Sequence, residues 1–163
     1  MASELLRALE GASVTYDDLE PGDRFVSAGR TVTEADVVNF AGLSADFNQL
    51  HTDAEFAAGT PHGRRIAHGL LVLSIMSGLS TRLPLNKFME QSIIGLAGLQ
   101  AKWLRPVFIG DTLHVLAEVT GKEPGRKPGR GTVLFKRSAI NQAGVTVLET
   151  EWRIVMAMRA GEG

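Results

Sequence analysis

Ala67-His68-Gly69-Leu70-Leu71-Val72-Leu73-Ser74-Ile75-Met76-Ser77-Gly78-Leu79-Ser80-Thr81-Arg82-Leu83 is the longest weakly charged run of the chain, with Arg82 as its one Arg. A helix that is apolar all round has no face to give to water, so this stretch is expected to form a buried central helix. Ser74, Ser77, Gly78 and Thr81 recur at i, i+3, i+4 and i+7 and make one face of small residues. Leu70, Leu73, Ile75 and Leu79 supply bulk elsewhere. A stripe of small residues lets a sheet or a slim ligand come close. Pro84 is expected to end the helix.

Outward from this helix the character of the chain changes. On the C-terminal side, Ile93 to Trp103, Thr112 to Thr120, Thr132 to Asn141 and Val145 to Arg159 read as strands. Thr112 to Thr120 alternates cleanly, with Leu113, Val115, Ala117 and Val119 on one face. Glu123 to Gly131 reads as a flexible connection and Asn141-Gln142-Ala143-Gly144 as a hairpin turn. On the N-terminal side, Thr33 fits an N-cap with Asp36 as its reciprocal acid, opening a helix to Leu43. Ser44 to Leu50 reads as loop, and Thr52 with Glu55 as a second capping box before a short helix Asp53–Ala58 that stops at Gly59. Short strand pieces flank Gly29. An antiparallel sheet with one apolar face has to cover it, and the central helix is the element suited to that. The expected architecture is α+β: one domain over 13–160 whose antiparallel sheet wraps a long central helix, preceded by an amphipathic lead-in helix over 1–12.

The chain has 163 residues, 44% hydrophobic and 21% charged, values ordinary for a globular domain with a real core. A formal net charge of −1 lacks the basic excess of a nucleic-acid binder. The absence of cysteine excludes disulfides, thiolate metal sites and a Cys nucleophile. Charges interrupt the N-terminal leucines and no apolar run reaches spanning length, so no membrane association is expected and the location is expected to be cytoplasmic.

Chemistry concentrates between Phe40 and Thr81. Asp46 and His51 stand five positions apart in a segment without helical period, and Gly69 opens a helix whose first N–H groups have no intrahelical acceptor. A carboxylate and an imidazole facing such a helix start can form a proton-transfer site with an oxyanion donor. On spacing alone, a loop aspartate capping a turn and a polar residue before a helix are the favoured reading, since Asp-rich loops are common. His51, His62 and His68 share no tight ligand spacing, so no metal is expected; His68 is expected to brace the helix start and His62 to be exposed. Ser74 and Ser77 lie in no Gly-x-Ser-x-Gly elbow, and no Walker loop or dinucleotide fingerprint is present.

Three segments together, Asp46-Phe47-Asn48-Gln49-Leu50-His51, Ala67-His68-Gly69-Leu70-Leu71 and Leu104-Arg105-Pro106-Val107-Phe108-Ile109-Gly110-Asp111-Thr112-Leu113, resemble the MaoC-like dehydratases. That family includes the (R)-specific enoyl-CoA hydratases, and the resemblance runs from about Tyr16 to Met158. It implies a hotdog fold, with Asp46 and His51 as the catalytic pair and the Gly69 N–H as oxyanion donor. It also implies that Ser77 supports Asp46, and Asn48 is read as fixing the loop. Ala45 and Gln49 depart from the family's usual Gly and Pro; neither removes a reacting group, so they bear on substrate range. The implied reaction is reversible hydration of a trans-2-enoyl-CoA, or of an acyl-carrier-protein thioester, to the (R)-3-hydroxyacyl product, without cofactor and in a homodimer or larger homo-oligomer.

Rival readings follow from the same resemblance. A branched or dicarboxylic acyl-CoA of the mesaconyl or itaconyl type would ask Arg64, Arg65 or Arg105 to meet the extra carboxylate. A thioesterase fits the Asp-x-Asn-x-x-His arrangement less well, and a non-catalytic acyl-thioester-binding subunit has no need of both Asp46 and His51. Arg126, Lys127 and Arg130, or Lys102 and Arg105, are the candidates for CoA phosphates, with a solvated loop as the plainer account of the first three.

Overall fold

The computed structural model describes residues 8, 9 and 11–159; the lead-in helix expected over 1–12 falls largely outside them. Six strands form an antiparallel sheet: β1 (Arg24–Val26), β2 (Arg30–Thr31), β3 (Ile93–Trp103), β4 (Thr112–Pro124), β5 (Arg130–Ile140) and β6 (Thr146–Ala157). Their order is β1-β4-β5-β6-β3, with β2 pairing β4 as well, so β3 forms an edge. Among the described residues, five α-helices of four residues or more precede or interrupt the sheet: α1 (Glu34–Ser44), α2 (Gln49–Thr52), α3 (Ala54–Ala58), α4 (Gly69–Thr81) and α5 (Pro84–Met89).

The alternation expected in β4 is realised: Leu113, Val115, Ala117 and Val119 are all buried. Leu113 and Val115 join Leu71, Val72, Ile75, Met76 and Leu79 of α4 in one core with Val37 of α1 and Leu148 of β6, while Val119 belongs to a second cluster. That cluster, built on Val133, Phe135, Trp152, Ile154 and Met156, fills the far end of the sheet with Leu19 and Met89. The sheet therefore wraps the central helix.

That helix is buried on one side only. Leu70 is 59% exposed, and Ser74, Gly78 and Thr81 lie open on the same outward side. A single sheet covers only the half of a helix that faces it, so all-round apolarity leaves an open face.

Several boundaries differ from the sequence reading, each for a local reason. The helix ends at Arg82, and Pro84 opens α5 instead of merely terminating α4, using the first-turn position where its missing N–H costs nothing. The cap of α3 is Asp53, whose carboxylate accepts the Phe56 N–H at 2.9 Å, and Thr52 closes α2 within what was read as loop and cap. The connection read over Glu123–Gly131 shortens to Gly125–Gly129, because β4 continues through Pro124 and β5 begins at Arg130. The Asn141 turn is as expected, its side chain accepting the N–H groups of Ala143 and Val145 at 3.0 Å each, with Gly144 at φ 74.

At α1 the capping box is complete. Thr33 donates its N–H and hydroxyl to Asp36 at 2.8 Å each, and Asp36 returns its N–H to the Thr33 hydroxyl at 3.3 Å. Arg30 reaches the other carboxylate oxygen at 2.5 Å. Burial pushes the Asp36 carboxyl up, but the Thr33 hydrogen bonds and Arg30 outweigh it and hold it below the usual aspartate range. A depressed folded value stabilises the protein above the unfolded aspartate pKa of ~4 and is lost as pH falls through the folded value. Asp36→Asn is therefore expected to cost about 1 kcal/mol at neutral pH, a penalty that shrinks in acid; denaturant melts at two pH values measure both.

Candidate active site

The segment from Ala45 to His51 is held by its own short side chains. Ala45 ends α1 in the left-handed region at φ 58, the conformation that favours glycine, and turns the chain out of the helix. Asp46 Oδ1 accepts the Asn48 N–H at 3.3 Å, and Asn48 Oδ1 accepts the Leu50 N–H at 3.0 Å. Asn48 thus caps α2.

His51 comes at the end of this arrangement. Its Nδ1 lies 2.8 Å from the Ile66 carbonyl oxygen, which can only accept, so Nδ1 carries the hydrogen and, in the neutral ring, Nε2 keeps the lone pair. Ile66 is itself tied back, donating its N–H to Leu50 at 3.1 Å and bridging to Phe108. The imidazole is therefore set as a proton acceptor by a strap that leads straight into α4.

His68 proves to be part of the site, where the sequence reading gave it only a bracing task. It is 1% exposed, its Nε2 meets the Asp46 carbonyl oxygen at 3.0 Å, and its ring lies 3.9 Å from that of His51. Ligand-capable atoms of Asp46, His51 and His68 come within 4.8 Å of one another, so the fold unites residues that no sequence spacing unites. Each imidazole commits one nitrogen to a backbone carbonyl, an arrangement that positions the rings. The signal available in the sequence was the adjacency of His68 to Gly69, which places it at the helix start. His62 is not simply exposed: it is half-buried and lines the same cavity as His51.

That cavity, about 350 Å³, is bounded by His51, Gly69 and Val72 on one side and by Trp103, Arg105 and Pro106 on the other. Gly69 opens α4, so its N–H belongs to the unpaired first turn. Its carbonyl accepts the indole N–H of Trp103 at 2.9 Å, and a Cβ on Gly69 would lie 2.9 Å from that same nitrogen. Glycine is required here by close approach, since a methyl group meets the indole.

Ser77 lies two turns further along α4, half-buried, and no hydrogen bond joins it to Asp46 among the described residues. Of the arginines weighed in the sequence, Arg65 forms two bonds to Glu34 at 2.8 and 2.6 Å, Arg64 stacks on Phe108 at 4.0 Å, and Arg105 lines the cavity. Arg126, Lys127 and Arg130 belong to the β4–β5 hairpin, at the opposite end of the sheet from Trp103. Asp111 of the third sequence segment is structural: it accepts the Phe108 N–H at 2.8 Å and the Gln142 amide at 2.9 Å, fixing the turn beside Val107.

Gly69→Ala is expected to displace Trp103 and misalign the first turn of α4. The expected reading is loss of at least 1 kcal/mol in chemical denaturation together with a changed Trp fluorescence.

The model of the MaoC like domain family matches residues 18–139. An (R)-specific enoyl-CoA hydratase of Rhodospirillum rubrum is 35% identical over 147 residues, 88% of this chain and 92% of that protein. Among solved structures, a monoamine oxidase regulatory protein of Archaeoglobus superposes with a TM-score of 0.87 at 37% identity, covering 91% of this chain and 97% of that one. A MaoC-like dehydratase of Rhodospirillum rubrum superposes at 0.80 with 32% identity, covering 91% and 99%. With a sheet wrapped around a central helix, and with a family match over residues 18–139, this chain belongs to the MaoC-like dehydratases and has their hotdog fold.

Proposed function

We propose that this enzyme catalyses the reversible hydration of a trans-2-enoyl-CoA to the (R)-3-hydroxyacyl-CoA, using Asp46 and His51 as one acid–base unit. The observation that carries the reading is the meeting of Asp46 and His51 within 4.8 Å beside the free first turn of α4 at Gly69. The names of its relatives, which include an (R)-specific enoyl-CoA hydratase and a 3-hydroxybutyryl-CoA dehydratase, support the same chemistry.

In the hydration direction, water sits between the Asp46 carboxylate and the bare Nε2 of His51. As its oxygen bonds to the β-carbon, the pair takes one proton from it, and negative charge moves onto the thioester oxygen. The Gly69 N–H, strengthened by the helix dipole, holds that charge. A proton returned from the pair to the α-carbon completes the addition of one water across the double bond. The two groups share this water. The acyl chain runs from Gly69 between α4 and β3, past Trp103, and not along Ser74 and Gly78, which lie on the outward side of the helix. A carboxylate and an imidazole that were merely structural would not matter to turnover. Asp46→Asn and His51→Ala are each expected to lower kcat by about 10²–10⁴ in the enoyl absorbance assay with crotonyl-CoA, without loss of fold. Wild-type-like turnover in both variants would sink the mechanism.

The working unit is proposed to be a homodimer formed through β3. Among the described residues, this strand has one side of its backbone unpaired and leaves Ile94 and Leu96 exposed at 49% and 53%. An open apolar edge is a template for further pairing, and a second copy would cover it. Leu96→Glu is expected to shift the protein from dimer to monomer in sedimentation; an unchanged mass would argue against this edge.

A further inference from the structure

Arg137 has no counter-ion, yet it is buried. It lies on β5, is 7% exposed, makes no ion pair among the described residues, and its Nε has no acceptor. It shares the inner face of the sheet with Phe135, and its guanidinium lies 4.4 Å from the ring centroid of Trp152 and 5.4 Å from that of Phe135. Burial pulls its pKa down to about 10, which leaves it charged at neutral pH. Stacking on two aromatic faces recovers only part of the hydration that a buried cation loses. A guanidinium offers five N–H donors, and these are left without an acid.

Its position relates it to the site. Arg137 pairs in register with Thr150 of β6, and Thr150 pairs with Ala101 of β3. Thr150 donates to the Arg137 carbonyl at 3.1 Å, accepts the Trp152 indole N–H at 2.7 Å and touches the sulfur of Met76 on α4 at 3.3 Å. Further out, Leu99 and Trp103 face inward opposite the buried Trp152 and Leu148, yet stay 38% and 46% exposed. The inner face between α4 and β3 is thus an open slot. It starts where Trp103 bonds Gly69; the level of Ala101, Thr150 and Arg137 is two residues along the strand, about 7 Å, and the Arg137 backbone lies two strands across from β3, about 10 Å. The guanidinium, lying over Trp152, leans toward this slot and away from β4.

We propose that Arg137 receives the distal carboxylate of the substrate, which makes the preferred substrate a short ω-carboxyacyl thioester. This inference rests on the hydratase reading. Of the arginines considered for an extra carboxylate, Arg65 is already paired with Glu34 and Arg64 is stacked at the surface, whereas Arg137 is buried and without an acid. Its fork suits a carboxylate in a bidentate contact.

The test compares glutaconyl-CoA, which ends in a carboxylate, with (E)-2-pentenoyl-CoA, which ends in a methyl group, for wild type and Arg137→Met. Wild type is expected to favour glutaconyl-CoA in kcat/KM by about 10-fold or more. Arg137→Met is expected to lose this preference while keeping turnover of pentenoyl-CoA. Equal use of both substrates by wild type, or an undiminished preference in the variant, overturns the proposal and leaves the hydratase standing. Calorimetry with the saturated glutaryl-CoA and pentanoyl-CoA separates the two claims, because neither ligand can be hydrated. About 10-fold tighter binding of glutaryl-CoA by wild type without hydration of any enoyl thioester would keep the anion site and discard the reaction. Equal binding discards the anion site, even if the variant does not fold.

Discussion

The hydrogen bond from His51 Nδ1 to the Ile66 carbonyl is the constraint on which the site depends. It fixes which nitrogen can accept a proton, and it does so through a backbone strap that is itself clamped on both sides. Ile66 donates to Leu50, Ala67 donates to Val107 at 2.8 Å, and His68 reaches back to the Asp46 carbonyl. Two residues after Ile66 the chain enters α4. The base, the loop carrying the carboxylate and the helix start that can stabilise an oxyanion are therefore one cross-linked piece. Such groups keep their mutual geometry without reorganising during the reaction, which is where preorganised sites gain their effect.

The sheet supplies the rigidity behind that piece. Leu113 and Val115 of β4, Ala139 of β5 and Leu148 of β6 press on α4 from one side and leave its small-residue face open. The same division makes a ligand slot possible: the inner face of β3 is left uncovered by the helix, and Trp103 marks its mouth by bonding to Gly69. Burial of Arg137 among aromatic rings stands against the trend of this core, since an apolar residue of similar size would avoid the loss of hydration.

Much of the fold was legible in the residues. The alternation in β4, the Thr33–Asp36 box and the Asn141 turn each carry a local signal, and each appears as read. Where two local signals compete, the reading slipped. Thr52 and Asp53 are both good caps and the structure uses Asp53; Pro84 breaks one helix and starts another, and sequence alone favours the break. Asp46, His51 and Gly69 were legible as candidates through the three family segments, not through periodicity. His68 and Arg137 were not assigned to the site. His68 acts through a contact with Asp46 across 22 positions, and Arg137 sits at an inward place in a strand whose alternation also admits an outward reading. Both depend on tertiary pairing, which no local pattern encodes.

The tautomer of His51 tests the account most directly. Long-range ¹H–¹⁵N correlation spectra of the histidine rings, with His51 assigned by its loss in a His51→Gln variant, distinguish the two ring nitrogens. The account predicts hydrogen on Nδ1 and a bare Nε2, as the Ile66 carbonyl demands. Hydrogen on Nε2 with Nδ1 bare would contradict it, because the nitrogen not held by the Ile66 carbonyl would then have no lone pair with which to take a proton from water.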